Sequence, residues 1–199
     1  MHNQLKLFLA METFFVLALG MFGPIYAIFV QKIGGGILDV GTAWSIYMIV
    51  SGAGIYLMGK LHDTHQRDKL FIILGYSLVS IGYIGYYFVS NVAQLFFIQV
   101  IIGLSSVISV PAMYSFYSKY VDKRKFASEW AAWDSLYRIL QGAMALVGAF
   151  LAKLYGFKAL FLTMFLLSLS PERITNPGQF LMEKSPAWRS RTIELIMRT

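Results

Sequence analysis

Apolar residues run along this chain in blocks of roughly 20, separated by short polar knots, a pattern that belongs to membrane helices. The blocks lie near Leu7–Val30, Thr42–Met58, Leu70–Val89, Gln94–Phe116, Trp130–Leu151 and Phe157–Leu169. Lipid offers no water to satisfy backbone groups, so each block should be a helix. Crossing a 30 Å hydrocarbon core at 1.5 Å per residue takes about 20 residues. Five blocks meet that length, the second with a little of its flanks, and the sixth, about 20 Å long as a helix, falls short of it. The pattern predicts an all-α polytopic membrane protein over residues 1–169, followed by a polar, basic tail over 170–199.

Composition agrees. Of 199 residues, 57% are hydrophobic and only 14% charged, too few charges for a water-facing globular surface. The absence of cysteine excludes a disulfide framework, a thiolate metal site and a cysteine nucleophile. The net charge of +7 fits cytoplasmic loops of a membrane protein rather than a nucleic-acid site. Lys6, Lys60, Arg67, Lys69, Lys119, Lys123, Arg124 and Lys125 fall on one side of a six-span layout, while Lys32, Lys153 and Lys158 fall on the other. The positive-inside rule then makes the N-terminus, the 2–3 and 4–5 loops and the tail cytoplasmic, and points to the plasma (cytoplasmic) membrane.

The first three spans echo the last three. Pro24 sits late in span 1 and Pro111 late in span 4, each followed closely by an aromatic, Tyr26 and Tyr114. Gly59 precedes Lys69 by ten residues, as Gly148 precedes Lys158. Three being odd, the second unit would enter from the opposite side, giving two inverted three-helix repeats.

The sharpest local signal is the run from Gly59 to Lys69, Gly-Lys-Leu-His-Asp-Thr-His-Gln-Arg-Asp-Lys, expected as a tight cytoplasmic loop between spans 2 and 3. It resembles the loop signature G-x-L-x-D-R-x-G-R-R/K of the major facilitator superfamily (MFS), matching at Gly59, Leu61, Asp63 and Arg67. Thr64, Gln66 and Asp68 depart from it. Phe22-Gly23-Pro24-Ile25-Tyr26, Ala127-Ser128-Glu129-Trp130 and Tyr155-Gly156-Phe157-Lys158 are similar to the same family. The resemblance covers about residues 5–168 and implies the family's N-terminal six-helix half. It further implies that Gly59, Asp63 and Arg67 act as a cytoplasmic latch, Gly59 letting a neighbouring helix approach. Gln99 stands where proton-coupled members carry a buried arginine, and the Gly-Pro pair of drug/proton exporters is missing from span 5. Both departures weaken an inference to proton antiport.

Polar residues inside a membrane each cost about 2.5–3.5 kcal/mol at a helix centre and so call for a reason. Glu12 lies early in span 1 and Gln99 in span 4; Asp134, Arg138 and Gln141 share one face of span 5. These five are the candidate substrate path. Two readings stand open for Asp134–Arg138, a wet cavity wall or a self-neutralised pair near the cytoplasmic end. Two also stand for Glu12, cavity lining or snorkelling. Tyr83, Tyr86 and Tyr87 read as an outer-interface aromatic belt; Trp44 and Trp133 could stack on a substrate, with interface anchoring the default reading. His62 and His65 beside Asp63 make an incomplete metal set, so no metal is expected. No cofactor is expected, and no paired catalytic groups appear within the spans, which speaks against an enzyme.

After Leu169 the chain turns polar. Either the tail replaces the end of a sixth helix and a second half, or it is genuine, with Trp188, Thr192, Leu195 and Ile196 at helical spacing on the cytoplasmic surface beside Arg189, Arg191 and Arg198. The functional expectation is a half-length or truncated MFS-type carrier of an unknown small molecule. It would work in the bilayer with a second half-transporter or as a homodimer, without nucleic acid. The competing expectation is a six-helix membrane protein that does not transport, a scaffold or an inactive remnant.

Overall fold

A computed structural model of the protein describes residues 3–65 and 67–174, and among them every regular element is helical. The elements are α1 (Asn3–Gly20), a 3-10 turn (Gly23–Ile25), α2 (Tyr26–Lys32), α3 (Ile37–His65), α4 (Asp68–Phe88), α5 (Val92–Tyr120), a second 3-10 turn (Lys123–Lys125) and α6 (Phe126–Ile174). Five stretches are long and apolar enough to cross a membrane: Phe8–Lys32, Ile37–Thr64, Asp68–Phe88, Val92–Tyr120 and Phe126–Leu169.

The ends of the helices follow from local chemistry. Pro24 opens the 3-10 turn that interrupts the first stretch, since proline lacks an N–H and its ring crowds the preceding turn. Pro111, by contrast, is carried inside α5 without ending it. The connection after α2 closes as a Schellman motif. Gly35 N–H donates to Val30 O (2.9 Å) and Gly34 N–H to Gln31 O (3.0 Å), with Gly34 at φ +88°, a conformation that favours glycine. Asp39 reaches back from the first turn of α3 to accept the Gly36 N–H (2.7 Å), and Asn91 caps α5 by accepting from Gln94 N–H (3.0 Å).

Two boundaries differ from the sequence expectation. The Gly59–Lys69 run is not a loop: α3 continues to His65 and α4 begins at Asp68. Nothing between Lys60 and His65 breaks a helix, and a helix that satisfies its own backbone need not stop where its apolar stretch does. The last helix also runs to Ile174, past the expected end at Leu169. The surface segment around Trp188 lies outside the described residues.

The last two apolar blocks both fall in α6, whose helical geometry is broken at Gly156 (φ 83°, ψ 170°). A side chain added at Gly148 would meet Met21, and the ring of Phe161 lies 5.0 Å from that of Phe22. A straight helix would carry residues 148 and 161 about 20 Å apart along its axis, yet both reach consecutive residues of the first stretch. The chain direction therefore turns back at Gly156, and both arms pack against the first stretch.

Helix α1 packs on α6, α3 on α5, and α4 on both α5 and α6. Two buried apolar clusters result. One gathers Phe22, Tyr26, Phe29, Tyr86 and Phe161 at the Gly34 end. The other gathers Phe8, Ile72, Phe116 and Tyr117 at the opposite end. Tyr83 and Tyr86 belong to the first cluster and are buried, so they do not form the outer belt read from the sequence. The Tyr86 ring packs on Phe22, Phe29 and Phe161. Helices α3 and α6 are the least buried, and their open faces carry large apolar residues such as Met48, Tyr56, Leu146 and Phe150.

Candidate functional site

Between the two clusters lies a cavity of ≈ 680 Å³ to which α1, α3, α4, α5 and α6 all contribute, a volume suited to a small organic ligand. Each wall is one helical face. Helix α1 presents Glu12 and Phe15, and α4 presents Tyr76, Val79 and Tyr83, at the three- and four-residue spacings that align side chains. Helix α5 adds Ser105, Ser106 and Ser109, α3 adds Tyr47, and α6 adds Trp130, Trp133, Asp134 and Tyr137. Helices α4 and α5 nearly touch here. A Cβ on Gly75 would stand 2.5 Å from Ser109 Cβ and 2.9 Å from Ser105 O, so a larger residue there would push α5 away and reshape the wall.

Glu12 is the buried acid of the site, 2% exposed. Tyr76 donates its hydroxyl to Glu12 Oε1, and Phe15 stacks on the Tyr76 ring at 4.7 Å, fixing it. The second oxygen, Oε2, has no hydrogen-bond partner. Trp133 stands next to Glu12, but its indole N–H makes no hydrogen bond, and neither does the Trp130 N–H or the Tyr83 hydroxyl. The serines are already engaged. Ser105 donates to Ile102 O (2.7 Å) and Ser109 to Ser105 O (2.9 Å), returning their protons to their own helix. Tyr47 Oη lies 3.5 Å from Ser106 Oγ. Among the described residues no three His, Asp or Glu side chains are grouped to hold a metal ion.

Of the five residues proposed from sequence for the path, the structure places Glu12 and Asp134 in the cavity wall. Gln99 lies outside it, buried in the first cluster region, where its amide donates to the Tyr26 hydroxyl. Arg138 donates to Asp134 Oδ2 (2.7 Å), with both side chains largely exposed. The Gln141 main chain packs against Gly20. The aromatic wall was not legible as a site, because tyrosines and tryptophans in an apolar block read equally well as interface anchors. Trp133 in particular is stacked on Tyr117 at 4.7 Å.

An exposed ion pair contributes little. Asp134→Leu, Arg138→Leu and the double variant should therefore give indistinguishable melting curves in detergent. A drop for Arg138→Leu that the double variant relieves would show instead that this face is covered in the assembled protein.

At the helix end opposite Gly34, the latch residues stand apart. Asp63 and Arg67 are exposed, and among the described residues nothing beyond its own helix backbone comes within 4 Å of a Cβ built on Gly59. The buried charge here is Asp68, which the sequence marks only as a departure from the signature. Its carboxylate accepts from Lys119 Nζ (2.5 Å) and lies 2.6 Å from His62 Nε2, tying the ends of α3, α4 and α5 together.

Comparison with known proteins agrees with this architecture. A family model described as the Major Facilitator Superfamily matches residues 8–170. The chain is also 25% identical over 143 residues to an uncharacterized MFS-type transporter of Methanocaldococcus jannaschii, an alignment covering 72% of this chain and 37% of that relative.

Proposed function

Because the chain belongs to the major facilitator superfamily, we propose that it moves a small solute across the membrane by alternating access, as one bundle of a two-bundle carrier. The observation that carries this reading is the cavity between the two apolar clusters, with a buried acid at one wall and an exposed residue, Asp134, at another. A carrier of this kind rocks two bundles about one such site. The open apolar faces of α3 and α6 are where a second bundle would cover it, whether a second half or a second copy. Gly59, Asp63 and Arg67, all on open surface, are then the latch that meets that bundle.

We read the two arms of α6 as separate crossings, making six in two inverted repeats. The packing supports this. Crossing one meets crossing five through Gly20 and Gly148, against Gln141 and Met21, and crossing two meets crossing four through Gly54 and Gly103, against Val107 and Val50. Exchanging the first three crossings for the last three converts one pairing into the other.

The chain has no cysteine, so single-cysteine variants report cleanly. Cysteines at Leu38 and Arg124 should label from opposite faces of the plasma membrane, Arg124 from the cytoplasm, and Tyr155→Cys should label with Leu38→Cys. Gly35 is a poorer probe, since a Cβ there would crowd Val30 at 2.7 Å. A cysteine at Ser106, on the cavity wall, should react with a membrane-impermeant reagent added from either side. Reaction from one side alone would leave a six-helix protein that does not transport.

A further inference from the structure

The cavity wall is chemically one-sided. It contains two carboxylates and no Lys, Arg or His. Asp134 is answered by Arg138, which stands outside the wall. Glu12 has no such partner among the described residues: Tyr76 donates to one oxygen, and Oε2 is buried beside the Trp133 indole with no cation opposite it. A buried carboxylate without a counter-charge is costly, and a cationic ligand would supply that charge. Around it stand Tyr76, Tyr83, Tyr114, Trp130, Trp133 and Tyr137, whose ring faces attract cations and whose bodies accept apolar surface. The serine side of the wall offers a polyhydroxylated solute little, since Ser105 and Ser109 spend their protons on their own helix. An anion would find no positive group.

We propose that this cavity takes an organic monocation with an apolar body, its charge against Glu12 and its body among the aromatic rings. This names the substrate class of the carrier described above and rests on that reading for its purpose, but binding itself needs no transport.

The test uses the full chain in lipid nanodiscs with two ions of the same shape and opposite charge, tetraphenylphosphonium and tetraphenylborate, measured separately by equilibrium dialysis against empty discs. Saturable binding of the phosphonium and none of the borate is expected. Glu12→Gln should weaken phosphonium binding at least about tenfold, as loss of a buried charge partner does, with Glu12→Asp between the two. Should Glu12→Gln fail to fold, phosphonium protection of a Ser106→Cys variant from thiol reagent, without protection by borate, gives the same answer. Equal binding of both ions, no saturable phosphonium binding, or a folded Glu12→Gln within twofold of the parent overturns the proposal. Two-sided access at Ser106 without cation preference would overturn it and keep the carrier. Cation preference with one-sided access would keep it and overturn the carrier.

Discussion

Replacing Gly148 with alanine should cost the protein much of its stability, and replacing it with valine should abolish the folded state. A Cβ at this position would stand 2.0 Å from Met21 O and 2.6 Å from Met21 C and Cα. These are main-chain atoms at the end of α1, so no rotamer change can clear them, and the two helices must separate. Overpacking of this kind costs about 3 kcal/mol or more when backbone has to move. Small residues at helix contacts are what allow such approach in membranes, where close packing is a principal source of helix association. Two comparisons isolate the cause. Gly54→Ala would meet Val107 Cγ2 at 2.2 Å and its Cβ at 3.2 Å; valine is stiff about χ1, but side chain rather than main chain has to give way, so about 1–3 kcal/mol is expected. Gly142, six residues before Gly148 on the same helix, has none of the described residues beyond its own helix backbone within 4 Å of its Cβ position. Gly142→Ala should be neutral or gain up to about 1 kcal/mol from helix propensity. Thermal unfolding of the three variants in detergent, followed by size-exclusion fluorescence, reads the order directly. A Gly148→Ala variant as stable as Gly142→Ala would contradict the α1–α6 contact.

Asp68→Asn should be the next most damaging change. Asp68 is buried at the first position of α4, where a carboxylate also suits the helix N-terminus. Its two oxygens serve His62 on α3 and Lys119 on α5. Asparagine keeps the shape and loses the charge, leaving Lys119 against a neutral amide. Breaking a buried pair costs about 3–5 kcal/mol. The Lys119 side chain is 24% exposed, and water relieves part of that penalty, so about 2–3 kcal/mol is the expected loss. Asp68→Asn combined with Lys119→Met should recover part of it, because the uncompensated charge is then gone. Asp63→Asn, at an exposed position five residues earlier, should shift stability by less than about 0.5 kcal/mol. If Asp63→Asn instead changes protease accessibility in membranes, Asp63 meets a partner on another bundle. Melting of the three variants, with limited proteolysis in parallel, separates stapling within the bundle from latching between bundles.

Asp63 and Asp68 show how far a motif can be followed. The run from Gly59 to Lys69 identified the family, because spacing and residue type are carried in the chain itself. Which acid is buried depends on what stands opposite, and Lys119 is 51 residues away. No local pattern brings it to Asp68. The same holds for the cavity. Glu12 stood out in sequence as a charge inside an apolar block, since that cost is intrinsic to the position. Its partner Tyr76 did not, because one tyrosine among many in apolar blocks carries no such penalty.

What the sequence determined by itself is the helical class, the membrane and the family. Lipid forces each long apolar stretch to satisfy its own backbone, and that constraint can be read from composition and length alone. A reversal between Leu151 and Phe157 is already expected from the division between two apolar blocks. Which residues that brings together, Gly148 and Phe161 against adjacent residues of the first stretch, was decided by packing. The tertiary structure alone placed Gln99 outside the cavity and Tyr76, Trp130 and Trp133 in its wall. Inside a bundle whose helices are apolar on every face, periodicity no longer marks the buried side. Only contact between helices distant in sequence decides which face meets a neighbour and which is left to line a cavity.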